Sequence, residues 1–328
     1  MSRAAIEISG VAAAPVGPVV AVRDLSVSYR DDRGAIPVLR GVDLDIARGE
    51  TLALVGESGS GKSTLARALV RLLPRTGRVV SGTIAIEGQD VLALNAAGLR
   101  ALRGARVGFV FQDPDVYLNP VFPVGRQIAD VIVLHRGVAP AEARRQAEAQ
   151  LTRVDIRDAA RVMHAYPHEL SGGMRQRVLM ALATACQPAL LIADEPTTAL
   201  DVLVQRQVLA TLARLRQETG MAVMLVTHDL GVVAENADRV AVMYGGSIVE
   251  VQAVRELFRA PRHPYTRALI AAAGPAGRRF ATLPGSPPDL RRLPPGCAFA
   301  PRCERVQERC HATAPALQAG HSCWNPLP

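Results

Sequence analysis

The sequence predicts an α/β fold: a domain on a parallel sheet with covered faces, a helical insert, and a small loop-rich C-terminal extension. Three observations predict it. Short apolar runs rich in β-branched residues alternate with helical segments, the pattern of strands joined by crossover helices. One such run, TLALV (Thr51–Val55), passes straight into a glycine-rich loop and then a helix. The composition also changes after Phe258, since residues 261–328 hold 12 of the 23 prolines and four of the five cysteines. That argues for stapled loops rather than further sheet.

Taken in order, residues 1–18 are rich in Ala, Pro and Gly and read as a disordered tail. Arg3 and the small residues resemble the start of a signal peptide, but Glu7 and two prolines interrupt it. The main domain is expected over 19–260. Its strands are VVAVRDLSVSY (Val19–Tyr29), VDLDI (Val42–Ile46), TLALV, VGFVF (107–111), ALLIA (189–193), AVMLVT (222–227) and VAVMY (240–244). A helix is expected from Ser63 to Leu73, with Pro74 just beyond it. Helical periodicity dominates from Pro140 to Arg177, clearest in AEARRQAEAQLTRV, and marks an insert over about 113–176. The stretch that most invites a spanning reading, Val178–Ala193, has sixteen uncharged residues and is broken by Gln187-Pro188. A spanning helix needs about 20, so no membrane span is expected. The net charge of +8 suits an anionic partner without naming one.

Chemistry concentrates in GESGSGKST, Gly56–Thr64. The glycines at 56, 59 and 61 let backbone amides turn toward phosphate without Cβ clashes, and Ser58 and Ser60 keep the loop small. The helix that follows aims its positive end at the same anion. Lys62 would reach the terminal phosphates, Ser63 would offer its hydroxyl to Mg²⁺, and Thr64 continues the motif. Lys62 is the sole lysine of the chain, against 37 arginines. An arginine is a wide planar fork, whereas a lysine is a compact charge on a slim stem that a crowded loop can admit. A second station follows ALLIA: Asp194 would serve Mg²⁺, and Glu195 would orient or deprotonate an attacking water.

Two further strings narrow the class: Leu170–Arg177, LSGGMRQR, and Thr227-His228-Asp229 after AVMLV. LSGGMRQR resembles the ABC signature, and residues 19–260 resemble an ABC-transporter ATP-binding subunit: a P-loop NTPase core with a helical subdomain. The resemblance implies ATP and Mg²⁺ as ligands. It makes Tyr29 the aromatic that stacks on adenine and Gln112 the glutamine that joins Ser63 and Asp194 at the metal. Ser171, Gly172 and Gly173 become the signature, Asp201 the D-loop aspartate, and His228 the sensor of the γ-phosphate. Lys62, Gln112, Glu195 and His228 form the expected catalytic set. Ser171 is also a good N-cap ahead of two open amides, a second phosphate-binding end in the same chain. The resemblance answers this with a head-to-tail pair of ATPases sharing each nucleotide.

FQDPDVYLNPVFPVG, DEPTTALDV and RHPYTRALI look like the ATP-binding subunits of oligopeptide and dipeptide importers, and LSGGMRQR with TTALDV looks more like their D-type than their F-type subunit. Asp115-Val116-Tyr117 departs from the usual Met-x-Ser-like residues in the loop that would meet the membrane subunit. The implied partners are a second ATPase, of a different F-type chain, two transmembrane permeases and an extracytoplasmic binding protein. The implied place is peripheral, on the cytoplasmic face of the membrane. Nickel chelates, opines and glutathione stay open as cargo beside peptides. A soluble ABC ATPase acting on nucleic acid is the rival; the single ATPase copy, with no long coiled coil, argues against it and against a nucleic-acid partner.

Cys297, Cys303, Cys310 and Cys323 are spaced C-x5-C-x6-C-x12-C, unlike common zinc ribbons or bacterial ferredoxins. The surrounding GSPPDL and PPGCAFAPRC resemble the importer extension, where four cysteines hold a [4Fe–4S] cluster. Zinc with His311 or His321, and free or disulfide thiols, remain the alternatives. Cys186 is expected in a helix as a core residue.

Overall fold

A computed structural model describes residues 17–198, 200–274 and 285–328. Most of the expected 1–18 tail therefore lies outside the described residues.

Among the described residues there are ten strands: β1 (Val20–Asp31), β2 (Gly34–Ile46), β3 (Thr51–Val55), β4 (Gly77–Ile86), β5 (Gln89–Asp90), β6 (Val107–Val110), β7 (Leu190–Asp194), β8 (Ala222–Val226), β9 (Arg239–Tyr244) and β10 (Ser247–Ala253). They form two sheets. One is antiparallel, ordered β2-β1-β4-β5; the other runs β10-β9-β3-β8-β7-β6. In the second sheet, β9, β3, β8, β7 and β6 are parallel, and β10 closes the edge antiparallel to β9. Every residue of β3, β7 and β8 is buried, as expected of parallel strands covered on both faces.

The helices begin with α1 (Lys62–Leu69) and α2 (Ala96–Leu102). The insert follows: α3 (Pro114–Tyr117), α4 (Val124–Arg136), α5 (Pro140–Arg153), α6 (Ala159–Val162) and α7 (Gly172–Thr184). After the insert come α8 (Val202–Thr219), α9 (Leu230–Asn236), α10 (Val254–Arg259), α11 (Pro264–Ala272) and α12 (Glu308–Ala312). Their starts obey capping chemistry. Ser171, Asp201 and Asp229 each accept a backbone N–H of the first turn with the side chain, opening α7, α8 and α9. Gly137 and Gly220 close α4 and α8 in the left-handed conformation.

Three apolar clusters hold these layers. One joins the insert and α8 to the sheet, through residues such as Ile128, Leu151 and Leu212. A second lies between the two sheets and α1. The third sits under the extension, where Tyr244, Tyr265 and Phe299 meet. Tyr244 and Phe299 pack edge to face, with centroids 5.2 Å apart. Cys186 departs from expectation: α7 ends at Thr184, so Cys186 stands in the turn beyond it and is only half-buried. Among the described residues no helix is long and apolar enough to cross a membrane.

Candidate nucleotide site

Because β3, β8, β7 and β6 are parallel and adjacent, their carboxyl ends share one rim of the sheet. Such a rim is where open α/β sheets bind ligands. The glycine loop follows β3, Asp194-Glu195 ends β7, Thr227-His228 follows β8, and Gln112 follows β6. Four separate stretches of sequence thus arrive at one place.

The loop's shape depends on two glycines. A Cβ on Gly56 (φ +151°) would meet the Met243 carbonyl oxygen at 2.2 Å, and one on Gly61 (φ +109°) would meet Leu39 at 2.9 Å. Lys62 is buried at the start of α1 and donates from Nζ to the carbonyls of Gly56 (2.8 Å) and Glu57 (3.0 Å). Burial pushes its ammonium below the ordinary lysine value, opposed by Glu195, Asp194 and Glu57. A polyanion would supply the charge that these carbonyls only partly provide.

The Ser63 hydroxyl donates to Asp194 Oδ1 at 2.9 Å. Burial raises the Asp194 carboxyl above its usual range, while the Ser63 hydrogen bond lowers it. A buried carboxylate beside a hydroxyl is a hard oxygen donor set, which fits a Mg²⁺ completed by phosphate and water. Gln112 stands beside the neighbouring carboxylate. Its Nε2 donates to Glu195 Oε2 at 3.3 Å, so its hydrogen bond goes to the carboxylate and not to Ser63 or Asp194.

Glu195 is the hub. Its other oxygen faces His228 Nδ1 at 3.3 Å, and Thr198 Oγ1 donates to Oε2 at 2.9 Å. Its backbone holds φ at +50°, a region costly for a residue with a side chain. Glu195 N–H is tied to the Val226 carbonyl of β8 at 2.9 Å. The neighbouring strand fixes the turn that aims the carboxylate, and such strain gathers at functional sites.

Lys62, Ser63, Gln112, Glu195 and His228 line a cavity of about 860 Å³ together with Tyr29, Ile36 and Val38; Asp194 reaches it through Ser63. Its size is within the range of ligand sites. The Tyr29 hydroxyl hydrogen-bonds Thr64 Oγ1 at 3.0 Å, so this ring also braces the start of α1. A second cavity of about 790 Å³ lies between the insert and α8. It contains none of this chemistry, and its arginines Arg177 and Arg214 already pair with Asp155.

The remaining expected residues lie elsewhere. Ser171, Gly172 and Gly173 open α7, where Gly173 packs on Val204 and Gly172 faces Leu200. Asp201 caps α8. The signature and D-loop are therefore neighbours of each other, and none of them lines the cavity that holds Lys62.

The four cysteines do converge, around a cavity of about 10 Å³ that His263 and Trp324 also line. That volume is about one water. All four are free thiols, and burial pushes Cys297 up to about 11. Among the described residues no group of His, Cys, Asp and Glu is arranged to hold a metal ion. The four cysteines of the expected cluster site thus line one small cavity, without a ligand geometry or room for iron.

Sequence reasoning missed Leu269 and Leu290 of the extension, which line the cavity, and Tyr265 and Arg302, which hold Glu57. Arg291 beside Leu290 pairs with Asp31. RHPYTRALI contains Tyr265 and Leu269, but its local pattern describes only a helix start after Pro264.

A phosphate loop, a carboxylate hub and a histidine on one rim of a mostly parallel sheet define a P-loop nucleotide hydrolase. Residues 39–198 match the ABC transporter family, and residues 249–310 match the oligopeptide/dipeptide transporter C-terminal region. A Brucella melitensis protein, provisionally named as a peptide import ATP-binding protein, is 47% identical over 92% of this chain and 93% of its own length. A Sinorhizobium fredii protein, provisionally named as a peptide ABC transporter ATP-binding protein, is 46% identical over 92% of this chain and 93% of its own. A dimeric ATP-binding cassette solved in a post-hydrolysis state with ADP and Pi has a TM-score of 0.65 and 29% identity, covering 72% of this chain and 99% of that one. CbiO1 of Clostridium perfringens, part of an ABC transporter complex, has a TM-score of 0.64 and 29% identity, covering 74% of this chain and 91% of that one. The chain belongs to the ABC-transporter ATP-binding proteins and is an ATPase of that family.

Proposed function

We propose that this chain is an energising subunit of a peptide importer, working peripherally on the cytoplasmic face of the membrane. Its partners would be a second, F-type ATPase, two transmembrane permeases and an extracytoplasmic binding protein. The observation that carries the ATPase part is the convergence of Lys62, Ser63–Asp194 and the Gln112–Glu195–His228 cluster on one cavity. The names of the relatives support peptide as the cargo.

In this reading adenine rests on Tyr29 and the triphosphate lies along the amides of residues 57–64. Lys62 turns from the Gly56 and Glu57 carbonyls to the terminal phosphates. Ser63 and Asp194 would hold Mg²⁺, which would supply neutralising charge to the triphosphate. Glu195 orients the attacking water and takes its proton. His228 and Gln112 hold Glu195 in place and sense the γ-phosphate. Ser171, Gly172, Gly173 and Asp201 serve the nucleotide of the partner ATPase.

The test is turnover of Glu195→Gln in the assembled transporter. Removing a general base costs about 10²–10⁴-fold, so turnover should fall within that range while ATP binding persists. Turnover indifferent to the change would remove Glu195 from its role.

Ligation of a [4Fe–4S] cluster by Cys297, Cys303, Cys310 and Cys323 is the finer proposal for the extension. It needs the thiols deprotonated and the small cavity opened. Iron and sulfide content of anaerobically purified protein decides between a cluster and a packed thiol core.

A further inference from the structure

We propose that Arg302, in the C-terminal extension, is a positioning residue for the phosphate loop: it holds Glu57 so that the loop presents its amides to the triphosphate. The proposal rests on the ATP-site reading above and adds a residue from outside the main domain to it.

Glu57 is fastened at all three of its polar groups. Arg302 donates from both terminal nitrogens to its carboxylate, Nη1 to Oε2 at 2.7 Å and Nη2 to Oε1 at 3.1 Å. This is the bidentate geometry that fixes orientation as well as charge. The Glu57 N–H donates to the Tyr265 hydroxyl at 2.9 Å, and its carbonyl accepts from Lys62 Nζ at 3.0 Å. Two of the three fastenings thus come from beyond residue 260.

The loop needs such help. Gly59 has nothing within 4 Å of where a Cβ would stand, and glycine-rich backbone is costly to order. Arg302 is itself rigidly set. Its side chain is 6% exposed, Nη1 also donates to the Tyr244 hydroxyl at 3.2 Å, and its guanidinium faces the rings of Tyr244 and Phe299. Its backbone N–H bonds the Phe299 carbonyl at 2.9 Å, within the turn between Cys297 and Cys303.

Charge adds a second reason. Glu57 stands in a loop built for a polyanion, and its side chain is only 19% exposed. Without Arg302 that carboxylate would be uncompensated and would repel the triphosphate it adjoins.

The test is calorimetric binding of Mg–ATP to the full chain, with KM and kcat measured in the assembled transporter. Arg302→Gln should weaken binding about tenfold, a loss in the range of coupled pairs. It should raise KM while kcat stays within about twofold of wild type. Glu57→Gln should weaken binding about threefold, and the double variant should match Glu57→Gln, because no orphaned charge remains. Arg302→Lys should recover part of the loss, which damage to the extension alone would not allow. Glu57→Gln lies outside the extension, so it carries the test even if Arg302→Gln misfolds. Single variants that bind as wild type, or losses that simply add in the double variant, would overturn the proposal. Wild-type protein that failed to bind ATP would instead overturn the nucleotide reading on which it rests.

Discussion

Lys62 shows how far one residue can be read from sequence. Its place in GESGSGKST and its singularity among basic residues were both visible, and the structure puts it buried at the head of α1 between two carbonyls. That room admits an ammonium. A guanidinium there would lack space for its planar fork and would lose the point contact. Lys62→Arg should therefore weaken Mg–ATP binding by about tenfold or more in the same calorimetric assay; affinity close to wild type would mean the loop is roomier than its glycines allow. Tyr29 was only half legible. Its hydroxyl bond to Thr64 joins residues 35 apart, and no local pattern announces such a contact. Arg302 was not legible at all, because one arginine among many carries no signal until the fold sets it against Glu57.

At the scale of elements, the buried parallel strands were the clearest part of the sequence. TLALV, ALLIA and AVMLV are continuous apolar runs with turn residues at both ends, and they became β3, β7 and β8 with every residue buried. The strands missed were β4, β5 and β10. In β4 the alternation is interrupted at Gly82, whose φ is +92° and where an added Cβ would stand 2.4 Å from the Asp24 carbonyl oxygen. Asp24 itself holds φ at +46°, and the β1–β4 register slips between Arg23 and Ser26. Such a bulge breaks the period-two pattern from which strands are recognised. Another glycine has a legible mechanical cost. Gly108 lies in β6, where an added Cβ would stand 2.1 Å from the Ala183 carbonyl of α7. Backbone cannot yield as a flexible side chain can. Gly108→Ala should force α7 off the sheet and destabilise the chain by about 2 kcal/mol, a fall of about 4 °C or more in melting temperature. An unchanged melting temperature would show that α7 shifts freely. The signature residues at the N-terminus of α7 would then be held less firmly than their packing on Val204 implies.

At the scale of the whole molecule, the glycine loop and the helix start at Ser171–Gly173, the two proposed phosphate-binding ends, belong to different places. The cavity around Lys62 includes Glu195 and His228 but none of the signature, while Gly172 faces Leu200, just before α8, and Gly173 faces Val204 in its first turn. The sequence suggested two such ends and could not say how far apart they fold. On the reading proposed above, a chain that keeps them apart holds half of two sites, and a second ATPase would complete each. The surface beside the signature fits that use. Val202 and Leu203, directly after Asp201, are 69% and 67% exposed, apolar side chains whose burial on assembly is favourable. In Glu195→Gln, where slow hydrolysis holds ATP in place, Mg–ATP should bring this chain and its partner ATPase together as one species in light scattering. Adding Leu203→Glu should abolish that species, because a charge would then have to be buried at the contact. Mg–ATP binding by the separated chain should stay within about twofold of its value without Leu203→Glu, because Leu203 does not line the cavity. If Leu203→Glu left assembly intact, α8 would not be at the contact, and the signature would have to reach the partner's nucleotide by another face. If it abolished ATP binding in the separated chain as well, the start of α8 would be supporting the chain's own site rather than meeting a partner.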